Sequence, residues 1–251
     1  IKNIIVDYVG GVEDIRKKRL RPIIELSHIF AEDPVRMIRA VKYATITGAA
    51  IPLLLRCRIH RDAPLLEYVS PSRLTEEIGK ILMSGHAADI FKTLLHYRLF
   101  LYLQPLAFSF IEDSPHFSEH YFASMQELDE LIAEHKIQRQ GQALVYLIRN
   151  FLQLITDWEG EPRAVYKAVY AECRHFVLPM NPQRTELEYA VKYCLRKGGL
   201  DIRLTGTAKA KEPSKRRPRG SARQNTVAKQ GTRAVGKRGS KPAVPATKPV
   251  R

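Results

Sequence analysis

Glu32-Asp33-Pro34-Val35-Arg36-Met37-Ile38-Arg39-Ala40-Val41-Lys42-Tyr43 is the stretch on which the fold turns. An aspartate accepts from the free amides of a helix start, and proline suits the first helical position because it has no amide to leave unpaired. Val35, Ile38 and Val41 then recur at helical spacing, and Gly48 supplies the stop. The same grammar runs downstream. Ser70-Pro71-Ser72 opens a second helix with the stripe Leu74, Ile78, Ile81 and Leu82. Further helices are predicted over Ala88 to Leu103, Met125 to Glu134, Ala143 to Leu154, Ala164 to Phe176 and Thr185 to Arg196. Breaks are expected at Asp113-Ser114-Pro115, Gly160-Glu161-Pro162 and Leu178 to Pro182. Upstream, Ile4, Ile5 and Val6 suggest a short buried strand, interrupted at Gly10-Gly11 and followed by a charged turn from Asp14 to Arg21. The predicted class is mainly α, with the helices of residues 25–104 forming a compact bundle.

Charge divides the chain unevenly. The 251 residues carry a net charge of +15, and residues 205–251 hold fourteen Lys and Arg against the single acid Glu212. That segment has no aromatic residue and few apolar ones, so it cannot bury enough surface to offset its chain entropy and is expected to be a disordered tail. A polycation of this kind points to a polyanionic partner, most simply RNA, with Lys215, Arg216, Arg217, Arg219, Lys237 and Arg238 as candidate phosphate contacts. No apolar run approaches the ~20 residues of a membrane span, so no membrane partner is expected. Cys57, Cys173 and Cys194 are widely separated and form no C-x-x-C, which suits reduced thiols in the cytoplasm and argues against a cysteine metal site.

Certain residues carry chemistry. Asp33 and Arg36, three apart, join a carboxylate acceptor to a planar donor fork, a pairing able to read a base edge. Asp33 is equally suited to capping its helix. Glu32 can pair with a nearby arginine, and Arg39 lies one turn further on, able to support the pair or meet phosphate. Gly10-Gly11 suits a bend and lacks the context of a phosphate-binding loop. None of the histidines forms a ligand pair of the H-E-x-x-H kind. His116 and His120 are four apart, but Asp113-Ser114-Pro115 predicts a loop there. No nucleophile signature is present.

Two elements carry a family resemblance. Asp7-Tyr8-Val9-Gly10-Gly11-Val12-Glu13-Asp14-Ile15 resembles the D-x-x-x-G-x-x-D-[LI] connector of class II tRNA nucleotidyltransferases and bacterial poly(A) polymerases. Glu32-Asp33-Pro34-Val35-Arg36 through Arg39-Ala40 resembles the E-D-P-x-R-x-x-R-A element that opens their neck helix. Ser72 to Ile78, with Arg73 as a brace for the neck helix or the base-reading pair, looks like the next neck element. The resemblance implies four parts: 1–24, the end of an α/β head and its connector, with Asp7, Gly11 and Asp14 at a hinge; 25–104, a helical neck; 105–204, a helical body that binds RNA; and 205–251, the basic tail. It also implies nucleotide contact by Asp33, Arg36 and Arg39, with ATP as substrate. Mg²⁺ would be held by carboxylates of a head domain supplied in cis or in trans, because neither G-G-x-V-R-D nor D-x-D occurs in this chain. By itself the chain is expected to be inactive. AMP addition to RNA 3′ ends is the first reading. CCA addition to tRNA is the second, and a non-catalytic RNA-binding relic is the third.

Overall fold

The computed structural model describes residues 5–200. Twelve α-helices account for most of them: α1 (Gly11–Arg16), α2 (Ile29–Glu32), α3 (Val35–Thr47), α4 (Leu53–Asp62), α5 (Pro71–Leu82), α6 (Ala87–His96), α7 (Phe100–Leu103), α8 (Pro105–Asp113), α9 (Pro115–Ala133), α10 (Gln140–Ile155), α11 (Pro162–Phe176) and α12 (Arg184–Lys197). A 3₁₀ turn, Ala63–Tyr68, joins α4 to α5. The fold is mainly α, and the only β pairing among the described residues is an isolated parallel bridge between Arg19 and Ala50.

The helix starts follow local chemistry. Pro71, Pro105, Pro115 and Pro162 stand in the first turns of α5, α8, α9 and α11. The Ser114 hydroxyl accepts from the Phe117 amide at 3.2 Å, and the Glu161 carboxylate accepts from the Ala164 amide at 2.7 Å. The predicted breaks at 113–115 and 160–162 are therefore helix starts. This corrects the loop expected around His116 and His120: α9 begins at Pro115, and the two imidazoles lie on one helical face with centroids 4.2 Å apart.

The helix stops explain a second correction. Gly48, at φ 65°, closes α3 with Ala49 N–H donating to Ala44 C=O at 3.0 Å and Gly48 N–H to Thr45 C=O at 3.4 Å. Those are the paired bonds of a Schellman stop. The continuous helix expected over 88–103 is instead divided by the same motif built on arginine. Arg98 has φ 56°, Leu99 N–H donates to Leu94 C=O and Arg98 N–H to Leu95 C=O, both at 2.9 Å. His135, at φ 57°, ends α9 in the same way. A side chain in this conformation is strained by about 1–2 kcal/mol, so Arg and His give no local signal of the stop.

The predicted strand takes no partner. Ile5 and Val6 are irregular and exposed, and Ile4 lies outside the described residues. Strand groups need a neighbour's amides and carbonyls, and none among the described residues faces them. The charged turn expected at 14–21 includes the end of α1, which starts at Gly11 because Gly10 takes φ 75°.

The buried side chains form one cluster. Met37, Ile38 and Val41 of α3 lie against α5 and α6. Phe91, Phe100, Phe117 and Tyr121 form an aromatic group joining α6, α7 and α9. α10 packs most extensively on α12 and also against α9 and α11. Phe151 of α10 stacks on Phe176 of α11 at 4.2 Å and 8°. Cys173 and Cys194 are buried and Cys57 is exposed, all three as free thiols; burial pushes the Cys194 thiol up to about 12. Among the described residues, no helix is long and apolar enough to cross a membrane.

Candidate functional site

The site is built at the mouth of α3. Asp33 leaves α2 in an extended conformation, φ −148° and ψ 94°, which turns its carboxylate onto the start of α3. Its Oδ1 accepts from Val35 N–H at 3.2 Å and from Arg73 Nη2, at the first turn of α5, at 2.9 Å. Asp33 therefore caps its helix and is braced from a second helix. Arg36 Nη1 donates to Glu32 Oε2 at 2.9 Å and to Ile29 C=O at 3.0 Å. The expected pairing of Glu32 with an arginine is this one. Asp33 and Arg36 each bond here through one side-chain atom, Oδ1 and Nη1. The Asp33 side chain is 15% exposed and that of Arg36 31%, so both are largely immobilised yet reach the surface.

Arg39, one turn on, turns toward α5 and stays partly exposed. Its Nε and Nη2 donate to Glu77 Oε1 at 2.9 and 2.7 Å. Glu77 Oε2 accepts from Lys42 Nζ at 3.2 Å, and Lys80 Nζ lies 3.4 Å from Oε1. Both Glu77 and Lys42 are buried. Burial alone would raise the Glu77 pKa, but the hydrogen bonds and charges of Arg39 and Lys42 outweigh it and hold the carboxyl below its ordinary value. Glu77 thus fastens α5 to α3 directly behind the Asp33–Arg73 contact. Reading the sequence assigned no role to Glu77 or Lys42. The available signal was an acid on the apolar stripe Leu74, Ile78, Ile81, which demands a buried cation.

The connector residues close on themselves. Asp7 Oδ2 accepts from Val12 N–H at 2.8 Å, and its Oδ1 from Gly11 N–H at 3.0 Å and Val9 N–H at 3.1 Å. These bonds, Val12's foremost, hold its carboxyl below the ordinary range. Asp14 accepts from Arg21 Nε at 2.6 Å and Arg19 Nη2 at 3.1 Å, and these arginines lower its pKa likewise. Arg21 also donates to Val9 C=O. A β-carbon at Gly10 would stand 2.9 Å from Arg21 Nη2 besides being strained at positive φ. The segment is stitched to the end of α3 by Leu20 N–H to Ala50 C=O at 2.9 Å and Ala50 N–H to Lys18 C=O at 2.7 Å.

Lys215, Arg216, Arg217, Arg219, Lys237 and Arg238 lie outside the described residues. Among the described residues, no three His, Cys, Asp or Glu side chains come together in a way that could hold a metal ion. The donor set of the described residues does not fit Mg²⁺.

Residues 55–111, from α4 to α8, match the family model described as "Probable RNA and SrmB- binding site of polymerase A". The chain is 36% identical to poly(A) polymerase I of Escherichia coli O6:H1 over 129 residues, which is 51% of this chain and 26% of that protein. It is 31% identical to poly(A) polymerase I of Haemophilus influenzae over 134 residues, 53% of this chain and 30% of that one. To the CCA-adding enzyme of Geobacillus thermodenitrificans it is 36% identical over 103 residues, 41% of this chain and 26% of that one. The chain spans about a quarter of the length of the relatives it matches. The likeness, carried on a helical fold, is thus to bacterial poly(A) polymerases and CCA-adding tRNA nucleotidyltransferases, over about half of this chain.

Proposed function

We propose that this chain supplies base selection and RNA binding to a template-independent nucleotidyltransferase that adds AMP from ATP to RNA 3′ ends. The carrying observation is the braced pair at the mouth of α3. Asp33 uses Oδ1 for Val35 and Arg73, and Arg36 uses Nη1 for Glu32 and Ile29. Asp33 Oδ2 and the Nε and Nη2 of Arg36 then serve the ligand. An acceptor beside a donor fork complements the amino donor and ring-nitrogen acceptor of adenine. Preorganisation matters because a pair already held in place loses little entropy on binding a base. Arg73 and Glu77 act as positioning residues, and Arg39 supports the pair through Glu77. Mg²⁺ would be held by carboxylates of a head domain and not by this chain, with the connector at 7–21 joining head to neck as a hinge. The basic tail would add salt-dependent contacts to RNA phosphates.

CCA addition is the second reading, favoured by the 36% identity to a CCA-adding enzyme. Extension of a labelled RNA by this chain together with a head domain, offered each nucleotide in turn, tests both. ATP-only extension that is lost in Asp33→Ala and Arg36→Ala supports the first reading. Addition of C, C and A to a trimmed tRNA transfers the assignment. Absence of any extension beside salt-sensitive RNA binding leaves an RNA-binding relic.

A further inference from the structure

We propose that a groove between α10 and α12 binds an unpaired RNA strand by stacking its bases, at a place separate from the α3 mouth. Two adjoining clefts, of about 400 Å³ and 170 Å³, share Val145, Tyr146 and Tyr193 as lining residues and together make up the groove. Aromatic rings line it along its length. Tyr189 and Tyr193, one turn apart on α12, stack with centroids 6.2 Å apart and planes at 23°. Tyr146 faces them from α10, and Trp158 walls the far end. Tyr193 is 42% exposed and Trp158 37%, so both present ring surface to solvent. The Trp158 ring rests on Gly198, where an added β-carbon would come within 2.0 Å of it. The absence of a side chain at 198 therefore fixes where this ring stands.

Charge selects the occupant. Arg149, Lys197 and Lys136 line the groove; Lys136 pairs with Glu134 at 2.7 Å and Arg149 with Glu127, while no carboxylate is among the residues lining either cleft. Arg149 is anchored from behind by Ser124 Oγ at 2.6 Å and Glu127 Oε2 at 2.5 Å, and its guanidinium lies 5.0 Å from the centre of the Tyr146 ring. Asn150, Gln153 and Gln142 add side-chain amides that can meet base edges. Exposed rings beside cations, with Lys197 the cation offered at the Trp158 end, suit a strand that offers π faces and phosphates together. A duplex offers few free base faces, since its neighbours already cover them.

The inference rests on reading the chain as an RNA-handling protein, but not on the residues of the α3 mouth. Trp158 is the only tryptophan in the chain, so its emission reports on the groove directly. Titration of the full chain with a short oligo(A) strand should quench Trp158 saturably, while a duplex of equal length should not. Tyr193→Ala should weaken the quenching transition about fivefold or more, and Tyr193→Phe should preserve it. Lys197→Glu, an exposed substitution, should weaken it as well. Oligo(A) that binds, by anisotropy of a labelled strand, without changing Trp158 emission overturns the proposal. So does a transition indifferent to Tyr193→Ala, or one reproduced equally by an acidic peptide. ATP-selective extension without quenching would sink the groove alone; quenching without extension would sink only the functional reading above.

Discussion

Glu77→Ala is the most informative substitution in this protein. It removes a buried carboxylate whose two oxygens hold Arg39 at 2.7 and 2.9 Å and Lys42 at 3.2 Å. Arg39 is 39% exposed on its side chain, so water compensates most of its loss. Lys42 is 5% exposed on its side chain and would be left as an unpaired buried ammonium. Breaking such a pair from one side costs about 3–5 kcal/mol. For a folded unit of this size that lowers Tm by about 6–20 °C. Urea denaturation with an unchanged m-value gives the stability difference. Glu77→Leu combined with Lys42→Leu should recover most of the loss, because no charge is then stranded. A single variant within about 0.5 kcal/mol of the parent, the range of ordinary surface changes, would refute the reasoning. A double variant as unstable as the sum of the singles would refute it equally. The pH dependence has a definite sign. Because the folded pKa of Glu77 is lowered, its contribution is complete above the ordinary carboxylate value of 4.5 and is lost as pH falls through the folded value.

Arg73→Ala should cost no more than about 1 kcal/mol, since the Asp33–Arg73 pair is partly exposed, yet should relax nucleotide discrimination in the extension assay by freeing Asp33. Were discrimination unaltered, Arg73 would be only a surface partner. Arg98→Gly should stabilise the chain by about 1 kcal/mol by relieving the left-handed conformation at the stop of α6, read as a rise in urea midpoint. Tyr121→Phe deletes the 2.6 Å bond to the buried Gln104 Oε1 and should cost about 1–3 kcal/mol; calorimetry showing no change would mean that Gln104 finds another donor. Gly198→Ala should displace the Trp158 ring and shift its emission maximum, because the new β-carbon would stand 2.0 Å from the ring, whereas an unshifted spectrum would contradict that close approach.

The amino-acid sequence by itself determined the helical class and, to within a few residues, the starts of α3, α5, α6, α10, α11 and α12. Proline after an acid or a serine, glycine at a helix stop and apolar spacing are local signals, and local chemistry satisfies them. Asp33-Pro34, Ser70-Pro71 and Gly48 act in the fold as they read in the chain. The motif around Asp33 and Arg36 was legible for the same reason, as residue types at fixed spacing. What only the tertiary structure decided depends on partners far apart in sequence. Arg39 turns to Glu77, 38 residues away, and of the two bracing roles open to Arg73 the packing selects the one on Asp33, 40 residues away. Neither choice is encoded at the residue itself, because a charged side chain takes the partner that packing presents. The division of 88–103 at Arg98 was hidden because its strain is offset by the burial of Leu99 and Phe100. The groove of Tyr146, Tyr193 and Trp158 exists only because α10 and α12 pack side by side and Gly198 leaves room for an indole ring.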